Sequence, residues 1–307
     1  MGGDVAGLAP EAGQDSQEAV TPSGDVELSI VIVSYNSRAV LGECLTSIRD
    51  SDTRTRLETI VVDNSSTDGT PDFVRENHPS VRVVECGTNL GYSRGVNRGI
   101  AESSAPLVLV LNPDVVVEPG SLDRLVEFMA EHPDAGIAAS KLLNADGSLQ
   151  HSCRRFHTLW TLVLRRTFLG RLFGNSGAIR RYLMLDYDHE QSRPVDWVIG
   201  ACMLVRKRAL DDVGLMDERF FLYFEDVDWC YRMWRGGWKV YYVADSVMTH
   251  RYARSSARPG LSKTVVAHLM SLVHFYEKWG RTVYQLKKYR RITQTVVLLV
   301  ADVIGVN

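Results

Sequence analysis

The fold class is decided by one stretch of the chain, Leu107-Val-Leu-Val-Leu-Asn-Pro-Asp-Val115. Its five aliphatic residues have no polar break, which is typical of a strand buried on both faces in a parallel sheet. Pro113 cannot donate to a sheet ladder and biases Asn112 towards an extended conformation, so the strand is predicted to end there. Asp114 would then lie at the carboxyl end of the strand, where open α/β sheets bind ligands. Such a carboxylate either binds Mg²⁺ or Mn²⁺ or caps a turn, and both interpretations stay open.

The composition is that of a globular protein without excess positive charge. A chain of 307 residues with 45% hydrophobic content can bury one large core or two smaller ones. The formal net charge of -2 excludes a globally basic nucleic-acid binder. The five cysteines lack CxxC or zinc-ligand spacing, and no positively charged leader precedes an apolar run. We therefore expect reduced thiols and a cytoplasmic protein.

On both sides of this strand, apolar runs alternate with helical patterns joined by short loops. Before it, strands are predicted at 28–33, 58–62 and 81–86, and helices at 39–50, at 70–77 and after the glycine-rich segment 89–99. After it, a helix is predicted at 121–132 and strands at 195–205 and 238–245. This alternation predicts an α/β fold, with a doubly wound, mostly parallel sheet flanked by helices.

The two ends of the chain differ in composition from its centre. Residues 1–27 carry six acidic and no basic side chains among Gly, Ala, Ser and Pro, so we expect a disordered tail. Residues 262–285 are predicted to be helical, and a basic cluster at 287–291 precedes the apolar stretch 292–306. That stretch is shorter than an ordinary membrane span of about 20 residues. The pattern indicates membrane-associating helices over 259–307, with a packed terminal helix as the alternative.

The segment 141–182 is basic and rich in large apolar residues. It contains eight Lys or Arg against one acid, Asp146. Basic residues interleaved with apolar ones are typical of an interfacial helix on an anionic membrane or around a lipid pyrophosphate. A helix that faces the core and presents a solvated basic face is the other interpretation.

Several polar loops are candidates for ligand contacts. Asp63 follows a predicted strand and could accept hydrogen bonds from a base or ribose, although the polar run after it is equally a cluster of helix caps. The segment 89–99 lacks GxGxxG, but a glycine-rich approach to a helix N-terminus suits a phosphate or a sugar. Gly200 and Ala201 allow the close approach of a ligand or of a neighbouring strand.

Two further groups carry candidate chemistry. Glu225, Asp226 and Asp228 follow an aromatic run; they either stabilise a helix N-terminus or include a general base held near apolar walls. His250 precedes several arginines that suit a diphosphate, so it either contacts a metal or phosphate or is structural.

Together these motifs closely resemble those of the family 2 inverting glycosyltransferases, and the bacterial rhamnosyltransferases are the most similar branch. The resemblance is carried by residues 33–36, 62–70, 89–91 with Asn97, 112–114, 200–201 and 220–228. It covers roughly residues 28–255. No single piece is specific, but the combination is.

The resemblance implies a GT-A fold over 28–258, with a nucleotide-binding half at 28–120 and an acceptor and catalytic half at 121–258. It implies Asp226 as the general base, Asp114 and His250 as metal ligands, and Mg²⁺ or Mn²⁺ as the cofactor. Asn112 stands where the family has the first aspartate of its DxD motif, a departure from two-carboxylate binding. The implied nucleotide contacts are Ser34, Tyr35, Asn36, Asp63, Asn89, Gly91, Arg94, Asn97 and Asn112, and the implied donor and acceptor pocket is Trp197, Gly200, Ala201 and Glu225.

The resemblance further implies inverting transfer of a sugar, L-rhamnose from dTDP-L-rhamnose, to a lipid-linked or polysaccharide acceptor of the cell envelope. We expect the enzyme on the inner face of the cytoplasmic membrane, with a monomer and a homodimer both open. UDP- and GDP-sugar donors, and a non-catalytic sugar-nucleotide-binding scaffold, are alternatives. A nucleotidyltransferase would need a basic glycine-rich loop after the first strand, and residues 34–38 do not supply one.

Overall fold

The computed structural model describes residues 26–157, 176–251 and 263–283. The strands are β1 Leu28–Ser34, β2 Leu57–Asp63, β3 Arg82–Glu85, β4 Leu107–Leu111, β5 Val115–Val117, β6 Ala135–Leu143, β7 Leu149–Gln150, β8 Cys153–Arg154, β9 Arg193–Pro194, β10 Trp197–Val198, β11 Cys202–Arg206 and β12 Lys239–His250. The helices are α1 Arg38–Arg49, α2 Thr70–Asn77, α3 Tyr92–Glu102, α4 Ser121–Glu131, α5 Gly177–Tyr182, α6 Lys207–Val213, α7 Glu225–Arg235 and α8 Lys263–Val283.

One large mixed sheet organises the described part of the chain. Its strand order is β3-β2-β1-β4-β11-β6-β12-β5, with β7 beside β6 and β9 beside β12. The first four strands are mutually parallel, as are β6 and β12, whereas β11 lies antiparallel between β4 and β6. The α/β class and the helix-flanked sheet predicted from the sequence are therefore confirmed.

The strand β4 is buried on both faces, as its unbroken aliphatic run predicts. Val108 and Val110 belong to one hydrophobic core, which also contains the buried side of α7. Leu109 and Leu111 belong to a second core on the opposite face, with α1 and α4. Because side chains alternate across a strand, β4 joins the two cores and fixes the position of the polar residues that follow it.

Two predicted strands differ from the structure. The predicted strand 195–205 is divided into β10 and β11 by a turn at Gly200 and Ala201, since the backbone there turns towards α7. The predicted strand 238–245 continues as β12 to His250, because the chain shifts register after Val243 and goes on pairing with β6. This extension carries His250 beside β5.

Several predicted features lie wholly or mainly outside the described residues. They are the acidic tail 1–27, apart from residues 26 and 27, the central part 158–175 of the basic segment, and residues 252–262 and 284–307 with their basic cluster and apolar stretch. The described flanks of the basic segment form short strands and α5. Among the described helices, none has the length and apolar character that crossing a bilayer requires.

Candidate active site

The first centre of the site lies where β4 ends. Pro113 terminates the strand, and the Asn112 backbone amide donates to the Ala201 carbonyl at 2.9 Å. The chain then turns into β5, whose Val115 pairs with His250 at the end of β12. The pairing brings together Asp114 and His250, which are far apart in sequence.

Asp114 and His250 form a close pair. His250 Nε2 lies 3.2 Å from Asp114 Oδ1, with side-chain exposures of 4% and 15%. On the other ring edge, His250 Nδ1 donates to Gln150 Oε1 at 2.8 Å. A hydrogen bond of this kind fixes the ring orientation and directs Nε2 towards the carboxylate. Sequence reasoning missed Gln150, which has no motif around it.

The donor set of this pair suits a hard divalent cation that substrate phosphates also coordinate. Mg²⁺ and Mn²⁺ accept carboxylate oxygens, imidazole nitrogen suits Mn²⁺ and related metals, and Mg²⁺ is usually held by one or two carboxylates plus phosphates and water. Within residues 26–157, 176–251 and 263–283, no group of three or more His, Cys, Asp or Glu forms a complete metal cage. Asp114 and His250 therefore fit a metal whose remaining ligands come from substrate and water.

The second centre is Asp226, in the first turn of α7. The backbone N–H of Gly200 donates to Asp226 Oδ2 at 3.1 Å, and that of Val227 donates to Oδ1 at 2.8 Å. The carboxylate keeps some solvent exposure, yet the surrounding protein desolvates it and raises its pKa. Gly200 comes so close that an added Cβ would lie 3.6 Å from Asp226 Cβ. A carboxylate fixed in this way can accept a proton from a bound hydroxyl.

Glu225 lies beside Asp226 but in a more enclosed environment. It is 5% exposed, and its Oε2 atom is buried without a hydrogen-bond partner among the described residues. Burial, and then the charge of Asp226, raise the pKa of Glu225 well above its usual value. Of the two neighbouring carboxyls, Asp226 is therefore the better candidate for the ionised base.

Tyr92 connects the two centres. Its hydroxyl lies 3.2 Å from Asn112 Oδ1 and 2.9 Å from the Gly200 carbonyl oxygen. Burial raises the pKa of Tyr92 well above its ordinary value, and the charges of Glu225, Asp226 and Asp114 add to the effect. Because Tyr92 contacts Asn112, two residues before Asp114, and Gly200, whose N–H contacts Asp226, the structure brings residues 114 and 226 to a common site. Sequence reasoning did not single out Tyr92, although its place directly after Asn89-Leu-Gly91 was a usable signal.

The loops after β1 and β2 carry polar side chains at the carboxyl ends of these strands, the same edge of the sheet at which β4 ends. Asp63 is 1% exposed; its Oδ2 accepts from the Ser66 N–H at 2.9 Å, whereas its Oδ1 is buried without a hydrogen-bond partner in the described chain. Asn36 links the loops, since its Oδ1 accepts from the Thr67 N–H at 2.8 Å. Tyr35 is 52% exposed. Asp63 pairs in register with Ser34, directly before Tyr35, so both residues lie at this sheet edge. A carboxylate oxygen without a partner and an exposed ring at the same edge are suited to a planar ligand that carries an N–H.

The loop before α3 is held tightly. Asn89 Oδ1 accepts from the Gly91 N–H at 3.0 Å, and Asn64 Nδ2 donates to the Gly91 carbonyl at 2.9 Å. Gly91 has a φ of +84°, and an added Cβ would lie 2.8 Å from the Phe221 carbonyl oxygen, so only glycine fits. This loop thereby contacts the aromatic segment that precedes Asp226.

Four other predicted site residues are buried or form bonds within the protein. The Asn97 amide donates to the Met216 carbonyl and accepts from the Met216 N–H, and Arg94 pairs with Glu218 at 3.1 Å. Trp197 is 4% exposed and lies in the core under the site. The Ser34 hydroxyl is buried without a hydrogen-bond partner in the described chain. Ligand contacts by these four residues stay predictions.

The sequence matches the family model described as Glycosyl transferase family 2 over residues 29–214. The N-acetylglucosaminyl-diphospho-decaprenol L-rhamnosyltransferase of Mycobacterium tuberculosis is 32% identical over 268 residues, 83% of this chain and 86% of the relative. The low-salt glycan biosynthesis hexosyltransferase Agl10 of Haloferax volcanii is 29% identical over 210 residues, 67% of this chain and 61% of the relative.

Two solved structures share the fold at low sequence identity. GalNAc-T7 with UDP, GalNAc and Mn²⁺ superposes with a TM-score of 0.61 at 15% identity, covering 87% of this chain and 49% of the other. Staphylococcus aureus TarS 1–349 in complex with UDP-GlcNAc superposes with a TM-score of 0.53 at 17% identity, covering 80% and 66%. These likenesses concern the fold alone.

The fold is thus that of the GT-A glycosyltransferases. The chain belongs to glycosyl transferase family 2. The family match ends at residue 214, so Asp226 and His250 lie beyond the matched part and their roles stay predictions.

Proposed function

We propose that this protein is an inverting, metal-dependent sugar transferase that moves L-rhamnose from dTDP-L-rhamnose to a hydroxyl of a lipid-linked N-acetylglucosamine acceptor. The observation that carries the proposal is the chain of hydrogen bonds from Asn112, two residues before Asp114, through Tyr92 and Gly200 to Asp226. The choice of sugar and acceptor rests on the name of the 32% identical mycobacterial relative. We place the enzyme peripherally on the inner face of the cytoplasmic membrane, where such an acceptor would be reached.

The donor would be held at two places. The buried, unpartnered Oδ1 of Asp63 accepts the imide N–H of the base, and the Tyr35 ring lies against the base. Thymine and uracil present the same imide, so this contact allows a UDP-sugar as the alternative donor. Asp114 and His250 would hold Mg²⁺ or Mn²⁺, which neutralises charge developing on the departing diphosphate.

Asp226 would act on the acceptor. Its carboxylate, oriented by the Gly200 N–H, accepts the proton of the acceptor hydroxyl as the hydroxyl oxygen attacks the anomeric carbon. The bond from that carbon to the diphosphate breaks in the same displacement, so the anomeric configuration inverts and no sugar is attached to the protein. Burial raises the pKa of the neighbouring Glu225 well above its usual value, which favours the neutral form of Glu225 beside the base.

The test combines a panel of sugar donors with a variant of the proposed general base, Asp226. Wild-type protein is incubated with dTDP-rhamnose, UDP- and GDP-sugars, a short-chain lipid diphospho-N-acetylglucosamine, and Mn²⁺ or Mg²⁺, and the product anomer is read by NMR. Asp226→Asn should lower turnover by about 10²–10⁴-fold while nucleotide affinity is kept. Near wild-type turnover of this variant would contradict the base assignment. Nucleotide binding without turnover on any acceptor would favour a scaffold.

A further inference from the structure

A short segment runs between the two centres of the site. Gln150 contacts His250, and four residues later Arg154 lies near enough to Asp226 for its charge to offset part of the rise in pKa that burial gives that carboxyl. Four residues span at most about 14 Å when extended. The Ser152 carbonyl, midway, accepts from the Ile199 N–H at 2.9 Å, which ties the segment to the strand leading into Gly200. The segment therefore connects residues at both centres of the site.

The Arg154 side chain lies over two aromatic rings. Its guanidinium carbon lies 5.3 Å from the centre of the Trp197 ring and 6.0 Å from that of Tyr182. Trp197 is its partner across the β8–β10 pair, and the Tyr182 hydroxyl is fixed by a 2.9 Å contact with His157. A stacked guanidinium loses little freedom when its remaining edge binds a ligand.

Arg154 has no acidic partner in the described chain. No Asp or Glu among the described residues lies within ion-pair distance, and its Nε atom is buried without a hydrogen-bond partner there. The neighbouring stretch 158–175 contains no acidic residue at all. Partly buried cations are ordinarily paired, so a cation left open beside the proposed base is suited to an anionic substrate group.

A phosphate matches this cation best. A guanidinium edge binds phosphate oxygens through two parallel hydrogen bonds. The proposed reaction offers two sources, the donor diphosphate and the diphosphate of the lipid-linked acceptor. The donor diphosphate is served by Asp114 and His250, whereas Asp226 faces the acceptor hydroxyl. Arg154 lies on the same side of the site as Asp226. With the acceptor hydroxyl at Asp226, the acceptor diphosphate would lie one sugar ring from that carboxylate, within reach of the Arg154 side chain.

We propose that Arg154 binds the diphosphate of the lipid-linked acceptor and thereby holds the acceptor hydroxyl at Asp226. This assignment rests on the proposed function. It gives the enzyme a means of preferring acceptors that carry a charged lipid diphosphate over neutral glycosides of the same sugar. It also gives one arginine of the basic segment a defined ligand.

The experiment compares Arg154→Met with Arg155→Met, a matched control at the exposed adjacent position. Each variant is assayed with a short-isoprenyl diphospho-N-acetylglucosamine and with octyl N-acetylglucosaminide, which lacks phosphate. Arg154→Met should raise KM for the diphosphate acceptor by about 10- to 100-fold, since hydrogen bonds to charged groups are lost. The KM for the neutral acceptor and the affinity for the donor should stay within about twofold, and Arg155→Met should resemble wild type in every assay.

Any other result with folded Arg154→Met overturns the assignment. Equal losses on both acceptors would make Arg154 a structural or general positioning residue. Weaker binding of the nucleotide sugar, measured by calorimetry, would assign it to the donor diphosphate. If Arg154→Met unfolds, Arg154→Lys keeps the charge without the bidentate edge and should show a partial rise in KM confined to the diphosphate acceptor.

Binding measurements separate this inference from the proposed function. Absence of transfer by wild-type protein on all donors and acceptors would defeat the proposed function alone. The isoprenyl diphospho-sugar would then be titrated against wild type and Arg154→Met without donor. Loss of affinity in the variant supports Arg154, and equal affinity rejects it.

Discussion

Helix α8 holds the segment that carries the proposed base, through a buried ionic cluster. Asp228, fully buried on α7, accepts from Arg232 Nε at 2.9 Å, Lys278 Nζ at 2.8 Å and Trp279 Nε1 at 2.7 Å. Lys278 also bonds Asp217 at 2.7 Å, at the start of the loop that leads into α7. Lys278→Met removes the charge that bridges the two acids and keeps much of the side-chain volume.

The expected cost follows from what the variant leaves behind. Losing one hydrogen bond to a charged group costs about 1.5–3 kcal/mol, and leaving a buried charge wholly uncompensated costs about 3–5 kcal/mol. Asp228 keeps Arg232 and Trp279, so the loss in free energy of unfolding should be about 2–3 kcal/mol. The matched control is Lys239→Met, whose surface pair with Asp134 is 43% and 42% exposed and should contribute less than about 1 kcal/mol.

The same variant should slow catalysis. Tyr223 and Phe224, just before α7, have left-handed φ values of 71° and 69°, and such conformations cost roughly 1–3 kcal/mol each unless packing holds them. On α8, His268 packs against both rings and Phe275 packs against Phe224. If α8 packs less tightly, Tyr223 and Phe224 can leave these conformations. The carboxylate of Asp226, two residues after Phe224, would then be displaced. Lys278→Met should therefore lower kcat while nucleotide affinity is unchanged.

Urea unfolding, followed by circular dichroism and tryptophan fluorescence, gives the stability change, and steady-state kinetics separate kcat from KM. Equal small losses in Lys278→Met and Lys239→Met would refute the reasoning, because the buried cluster would then contribute no more than a surface pair. Reduced stability with wild-type kcat would show that α8 stabilises the fold without positioning the base.

Three further outcomes are expected. Tyr92→Phe should lower stability by about 1–3 kcal/mol in urea unfolding and reduce kcat, because Asn112 Oδ1 and the Gly200 carbonyl lose a buried hydroxyl partner; an unchanged kcat would contradict its linking role. Gly91→Ala should lower both melting temperature and turnover, since its φ of +84° and a nearby carbonyl leave no room for Cβ; wild-type stability in thermal unfolding would refute this. As the pH falls, kcat/KM should begin to decrease at a pH above the ordinary pKa of aspartate, because desolvation raises the pKa of Asp226 and the base must be deprotonated. A kcat/KM that stays constant down to the ordinary aspartate pKa would contradict this prediction.

Local sequence predicted those parts of the fold that depend on neighbouring residues. The aliphatic run of β4 and the proline after it set both the burial of the strand and its end. The alternation of strand and helix likewise predicted the parallel part of the sheet. These features follow from side-chain period and backbone restriction, which act over a few residues.

The parts that local sequence could not predict depend on pairing between distant segments. The Asp114–His250 contact exists because β12 continues to residue 250 and pairs with β5. The turn at Gly200 depends on the side chain of Asp226 accepting its N–H. Burial and contacts also distinguish the three acids of α7: Asp228 is fully buried and paired, Glu225 is buried, and of the three only Asp226 is partly exposed. Their spacing in sequence contains none of this information.

The departure of Asn112 from the DxD pattern has a physical reason in Tyr92. A carboxylate at position 112 would add a negative charge two residues from Asp114 in this enclosed site, and the two like charges would repel each other. The Tyr92 hydroxyl nevertheless needs an acceptor, and the Asn112 side-chain oxygen supplies one at 3.2 Å without a charge. A neutral amide at this position therefore supports the tyrosine that spans the site and leaves Asp114 as the carboxylate that faces His250.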